Sequence, residues 1–259
     1  MKIFYRLSDG SYPKVRFDNA TKKNCLRNFL NHFVFYYGAT KDQDQLIVFA
    51  DNVKDKTYDW IAALTETNDF DVRRTNAGSS AGSFRLVLEE ALKLDDDEIV
   101  YFVEDDYAHL PNSREVLLEG LERAHYVTLY NHPDKYIPAS KGGNPLIGDD
   151  GAERTKIFVT DSSYWMMTNS TTMTFATTVS VLREDASIWR KFTEGSYPQD
   201  MNIFLTLKEL GRSLVQPIPT KATHCEPTWA AHLHGTGIYD WNIYLKPTVP
   251  LQIHRQASF

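Results

Sequence analysis

The chain has 259 residues, 42% hydrophobic, 24% charged and 13% aromatic, a composition that excludes disorder over most of its length. A chain of this size buries roughly 70–75% of the surface its unfolded form exposes, so its core needs neither disulfides nor a structural metal. Its 28 basic and 34 acidic residues give a net charge of -6, which excludes a nucleic-acid binder that relies on bulk attraction to phosphate.

In chain order, Lys2 to Arg6 form a β-branched and aromatic run broken by Asp9-Gly10-Ser11, a strand followed by a loop. Asn19-Ala20-Thr21 then cap an amphipathic helix whose apolar stripe is Cys25, Leu26, Phe29, Leu30 and Phe33. The unbroken run Gln45 to Asp51 predicts a parallel strand buried on both faces. A helix over about Tyr58 to Thr65, a weaker strand Asp71 to Thr75, a small-residue loop Asn76 to Ser83 and a helix Phe84 to Leu94 follow. The fourth strand, Ile99 to Val103, runs directly into Glu104-Asp105-Asp106. Strands alternating with helices in this way predict an α/β fold with a mostly parallel sheet.

Beyond Tyr107 the pattern loosens. A helix is expected near Ser113 to Ala124, a strand from Tyr126 to Tyr130 and a polar loop from Asn131 to Arg154. Strands are expected over Lys156 to Thr160, Ser163 to Met167 and Met173 to Leu182, the last antiparallel, then a helix from Gln199 to Leu210 closed by Gly211. A Pro-bounded strand runs from Val215 to Thr220, and the tail is irregular. One domain spans 1–259, with a front half of 1–106 and a back half of 107–259. Cys25 and Cys225 lie outside any CxxC or Cys/His spacing, so reduced thiols are expected. No apolar run approaches the ~18 residues of a membrane span, and Met1 to Arg6 is charged too early for a signal peptide. The expected location is the cytoplasm.

Seven acids and no base lie between Asp95 and Asp106. Those preceding the fourth strand, Asp95 to Glu98, fall at the amino edge of the sheet and read as a solvated turn. Glu104, Asp105 and Asp106 fall at the carboxyl edge, where open α/β sheets bind ligands. Three adjacent carboxylates there repel one another unless a basic partner or a hard cation such as Mg²⁺ or Mn²⁺ is present.

The order of elements together with Val103-Glu104-Asp105-Asp106-Tyr107-Ala108-His109, the opening Lys2 to Gly10 and the tail Ala222-Thr223-His224-Cys225-Glu226 resembles the GT-A fold of nucleotide-sugar glycosyltransferases. The resemblance is to the small bacterial and chlorella-virus members with a Glu-Asp-Asp-Tyr metal motif. It implies a UDP-sugar donor, a Mn²⁺ or Mg²⁺ cofactor and a carbohydrate or glycoprotein acceptor, in the host cytoplasm if a virus encodes the chain. By this resemblance Glu104 and Asp106 take the metal positions, with His224 as a further metal or phosphate ligand, and Asp105 lies near the donor sugar or ribose. Arg6, Ser8 and Asp51 face the nucleoside, although Arg6 suits an edge salt bridge and Asp51 a turn cap equally well. The loop from Asn76 and the residues Arg85 and Lys221 are candidates for the phosphates. Asp200 opens a helix, as the general base of transfer or as a plain N-cap. Among the aromatic residues of the back half, Trp165 and Trp229 are the candidates for contact with sugar. Two other readings remain: a sugar-1-phosphate nucleotidyltransferase, whose GxGTRxxP loop is not matched by Asp9 to Lys14, and a non-catalytic carbohydrate-binding protein.

Overall fold

The computed structural model describes residues 1–10, 14–34, 44–232 and 240–246. Ser11 to Pro13 of the first loop, His234 and Tyr239 lie outside the described residues. Strands β1 (Lys2–Ser8), β2 (Gln45–Asp51), β3 (Asp71–Thr75) and β4 (Ile99–Glu104) alternate with helices α1 (Lys22–Phe29), α2 (Asp55–Thr65) and α3 (Ser80–Ala91). β1 pairs in parallel with both β2 and β4, and β2 with β3, so the carboxyl ends of all four strands open on one side. After β4 come β5 (Tyr107–His109), α4 (Ser113–Leu121), β6 (Tyr126–Val127), β7 (Ile157–Val159), β8 (Tyr164–Thr168) and β9 (Phe175–Thr178). The chain continues through α5 (Val179–Glu184), α6 (Ala186–Lys191), α7 (Asp200–Glu209), β10 (Leu214–Ile218), β11 (Ala222–His224) and α8 (Asn242–Leu245).

Among the described residues, nine strands form one sheet in the order β3-β2-β1-β4-β9-β6-β10-β8-β7. Its first four strands are parallel, and β9 enters antiparallel to β4. The remaining two strands, β5 and β11, pair antiparallel with His224 opposite Tyr107. This small sheet had no signal in the sequence, because three-residue strands carry too few alternations to be read. It brings the tail back to the acidic corner.

Period-two alternation on β1 sends Ile3, Tyr5 and Leu7 to one apolar layer, with Leu26 and Phe29 of α1 and Ile61 of α2. Phe4 points to the other layer, with Phe84 and Leu88 of α3, Trp189 of α6 and Phe204 of α7. Arg6 occupies the next position on the Phe4 side, 6% exposed, with its guanidinium 5.5 Å from the Phe84 ring centre. A charged group therefore stands where the pattern calls for an apolar one.

Several boundaries differ from expectation. α3 begins at Ser80 rather than Phe84, because the Ser79 hydroxyl accepts the Gly82 amide at 3.0 Å and starts the helix early. The Met173 to Leu182 run is not one strand: β9 ends at Thr178, whose side chain caps α5. The β-branched Val179 and Val181 suit either state, and the cap decides. The expected strand from Tyr126 to Tyr130 is a strand over Tyr126–Val127, and Tyr130 makes an isolated parallel bridge to Ala222. Gly211 does close α7, with a φ of 84° that favours glycine. Among the described residues no helix is long and apolar enough to cross a membrane.

Candidate active site

A cavity of about 600 Å³ opens beyond the carboxyl ends of β1, β2 and β4. Arg6, Ser8, Asp51, Glu104, Asp105, Asp106 and Asp200 line it, joined by Lys14 and by Gly78, Ser79, Ser80 and Ser83 at the start of α3. Ser8 and Asp51 stand opposite one another at the last register position of β1 and β2, while Arg6 pairs across to Glu104.

Each acid of the triplet has its own basic partner. Glu104 Oε1 lies 3.3 Å from Arg6 Nη2, and its other oxygen is 3.4 Å from the Thr174 hydroxyl. Asp105 Oδ2 accepts the Ser8 amide at 2.8 Å and Lys22 Nζ of α1 at 2.6 Å. Asp106 Oδ2 is surrounded by His224 Nε2 at 3.1 Å, Arg16 Nη2 at 3.4 Å and Lys14 Nζ at 3.8 Å. The mutual repulsion expected of three neighbouring carboxylates is thus relieved by side chains from β1, the loop after it, α1 and β11. Lys14, Arg16 and Lys22 were absent from the sequence-based site; they lie in a loop and on a polar helix face, where solvated bases are the ordinary reading.

The partners divide the triplet electrostatically. Burial pushes the Glu104 carboxyl up despite Arg6, and raises Asp105 despite Lys22. Burial would raise Asp106 too, but His224, Lys14 and Arg16 outweigh it and hold that carboxyl well below the usual range. His224 is raised in turn, because Asp106 overcomes the burial that favours its neutral form. Asp200, the first residue of α7, is raised by burial, partly offset by the Met201 amide and by His132 and Lys135.

The other candidates separate. Asp51 Oδ1 accepts the Thr75 hydroxyl at 2.9 Å and the Ala77 amide at 2.7 Å, so it braces the turn after β3 and also lines the cavity. Gln199, the N-cap residue of α7, makes no side-chain cap bond, whereas Asp200 Oδ1 accepts the Met201 amide at 2.8 Å, so Asp200 serves the helix start and also lines the cavity. Asn76 is exposed and outside the cavity lining, whereas Gly78 to Ser80 beside it are inside. Arg85 lines a separate open cleft with Leu86, Glu89, Arg190 and Glu194. Lys221 is half-buried, its carbonyl accepting the Leu110 amide at 2.9 Å, and it is not among the residues lining the cavity.

Neither tryptophan serves as expected. Trp165 is fully buried under α4, where a Cβ on Gly120 would come within 2.6 Å of its ring, and its Nε1 donates to Thr160 at 2.8 Å. Trp229 lies against His132 with ring centres 5.3 Å apart and planes tilted by 46°, and it is not among the residues lining the cavity. Among the described residues the aromatic side chain that lines the cavity is Tyr197.

Among the described residues no three His, Cys, Asp or Glu side chains form a group able to hold a metal ion. Asp106 and His224 nevertheless offer an oxygen and a nitrogen 3.1 Å apart. Five carboxylates line the cavity with Arg6 and Lys14, and Arg16, Lys22 and His224 also pair with the triplet. With His224 deprotonated, one carboxylate and one imidazole would be the two protein donors to a divalent ion, phosphate and water completing its shell.

The class defined by this sheet and its flanking helices is the GT-A α/β fold. GalNAc-T7, solved with UDP, GalNAc and Mn²⁺, superposes on 86% of this chain with a TM-score of 0.56 at 10% identity, and the chain spans 42% of that protein. The nucleoside-diphosphate-sugar pyrophosphorylase of Vibrio cholerae RC9 superposes on 88% of this chain and 97% of its own, with a TM-score of 0.50 at 13% identity. The galactosyltransferase LgtC, in complex with donor and acceptor sugar analogs, gives a TM-score of 0.45 at 11% identity over 80% of this chain and 69% of its own. No protein-family model and no curated protein matches the sequence.

Proposed function

We propose that the protein is a metal-dependent glycosyltransferase that moves a sugar from a UDP-sugar donor to a hydroxyl of a carbohydrate or glycoprotein acceptor in the cytoplasm. The observation that carries this reading is the cavity itself, where a triplet of acids at the end of β4 and a half-buried carboxylate on α7 line one space. GalNAc-T7 shares the fold and was solved with UDP, a sugar and Mn²⁺.

In this reading the nucleoside lies toward Ser8 and Asp51, and the diphosphate toward Lys14 and Asp106. Asp106 and His224 would hold a Mn²⁺ or Mg²⁺ ion, which when bound supplies Lewis-acid neutralisation of the leaving diphosphate. Glu104 keeps Arg6 aimed into the cavity, where the amino end of α3 adds a positive potential. Asp200 takes the proton of the acceptor hydroxyl; a carboxyl raised by burial is a stronger base than a solvated one.

Calorimetry of UDP binding with and without Mn²⁺ tests the assignment. Asp106→Asn is expected to abolish the Mn²⁺-dependent binding while circular dichroism shows an unchanged fold. Binding that keeps its Mn²⁺ dependence in the variant would sink the metal assignment.

The pyrophosphorylase superposed over nearly its whole length supports a second reading, nucleotidyl transfer to a sugar phosphate. Pyrophosphate released from a nucleoside triphosphate would identify that activity, and UDP released from a UDP-sugar would identify the first.

A further inference from the structure

We propose that Tyr197 is the platform on which the acceptor lies, and that the acceptor group this site receives is a pyranose ring. The inference rests on the glycosyltransferase reading. Trp165, Trp189, Tyr126 and Tyr130 of the back half are buried at 1% exposure or less, whereas Tyr197 is 66% exposed and, unlike the exposed Tyr136 and Tyr164, lines the cavity.

Among the described residues Tyr197, with Pro198 and Met173, is the apolar part of a lining otherwise made of charges, hydroxyls, amide and backbone. Asp200 follows three positions later on the same segment, as the first residue of α7. A hydroxyl delivered to the Asp200 carboxylate therefore brings the group that carries it against this apolar part.

The backbone under the tyrosine is tied down although its ring is free. The Ser196 carbonyl accepts the Ala81 amide of α3 at 3.1 Å, and the Gln199 amide donates to the Phe192 carbonyl at 3.0 Å. Met173 is held from the other side, since the neighbouring Thr174 hydroxyl accepts the Glu104 amide at 3.1 Å. An exposed ring on an anchored backbone, in the cavity that Asp200 also lines, matches one kind of ligand well. The C–H face of a pyranose covers the aromatic surface while its hydroxyls keep their hydrogen bonds, which a flexible open chain does only at a larger cost in ordering.

The probes are methyl β-D-glucopyranoside, methyl β-D-galactopyranoside and methyl α-D-mannopyranoside, with open-chain sorbitol as control. Saturation-transfer NMR with UDP and Mn²⁺ present would compare the wild type with Tyr197→Ala, Tyr197→Phe and Tyr197→Trp. At least one pyranoside should bind the wild type through its ring C–H protons. Tyr197→Ala should weaken it about five- to tenfold, the scale of one aromatic contact, and the Phe and Trp variants should retain it. UDP affinity by calorimetry should be equal in all four proteins.

Pyranoside binding that is unchanged in Tyr197→Ala, or absent from the wild type, overturns the proposal. So does sorbitol binding with the same dependence on Tyr197, or a loss of UDP affinity in Tyr197→Ala, which would make the ring part of the donor site. A Tyr197-dependent pyranoside site in a wild-type protein that binds no UDP would keep the platform and overturn the transferase reading instead.

Discussion

Asp106 and His109 lie three residues apart and are treated oppositely by their surroundings. Asp106 is buried among bases and stays charged. His109 is buried among the rings of Phe29, Phe33 and Tyr101, with Tyr101 Oη 2.8 Å from its Nε2, and burial pushes its pKa down from the ordinary 6.5 to about 3. The unfolded chain therefore binds a proton between those two values that the folded chain refuses. The resulting stability is complete above 6.5 and is lost as pH falls toward 3. Urea unfolding at pH 7 and pH 5 checks this: the wild type should lose about 2 kcal/mol more than His109→Gln over that interval. Equal losses would show that this imidazole is not held neutral. A histidine after the acidic triplet invites a reading as a ligand, and only its ring neighbours reveal a core residue.

At the scale of elements, α1 does more than cover the sheet. Its first residue, Lys22, reaches Asp105 at 2.6 Å and also bonds the Ser8 carbonyl, so the start of this helix fixes the end of β1 against the acidic corner. Thr21 sets that start, its hydroxyl accepting the Asn24 amide at 3.1 Å. Thr21→Ala is expected to cost about 1 kcal/mol in chemical denaturation. A change within ±0.3 kcal/mol would mean that packing alone holds the helix start. The cap was legible beforehand, because Thr before a polar-apolar stripe is a local signal. The role of Lys22 was not, since it depends on which strand end the helix faces. The same distinction explains β9 and α5. An apolar β-branched run satisfies both conformations locally, and the partner strand β4 ends the pairing at Thr178 opposite Ile99.

At the scale of the whole molecule, residues far apart in sequence close the site together. Cys25 of α1 and Cys225 after β11 place their sulfurs 4.0 Å apart, both fully buried. Around them the Cys225 amide donates to the Asp106 carbonyl at 2.8 Å, and its carbonyl accepts the Phe17 amide at 3.2 Å. This joint locks the tail onto the acidic corner and sets His224 against Asp106. Burial also pushes the Cys225 thiol up, away from the reactive thiolate. A thiol reagent such as Ellman's should label neither cysteine in the native protein and both in denaturant. Rapid labelling of the native protein would show that the joint opens.

The sequence by itself determined the alternation of strands and helices in the front half, the side of the sheet on which the acids emerge and Asp200 at the start of a helix. These are set by local periodicity, capping and chain order, which a single sequence displays. Tertiary structure alone decided that every acid of the triplet meets a base, that His224 reaches Asp106, that Arg85, Asn76 and Lys221 fall outside the cavity, and that Tyr197 rather than Trp165 faces it. Each of these depends on contacts between segments distant in the chain, made by the burial of two apolar layers around one sheet, and no local pattern encodes which distant side chain will arrive.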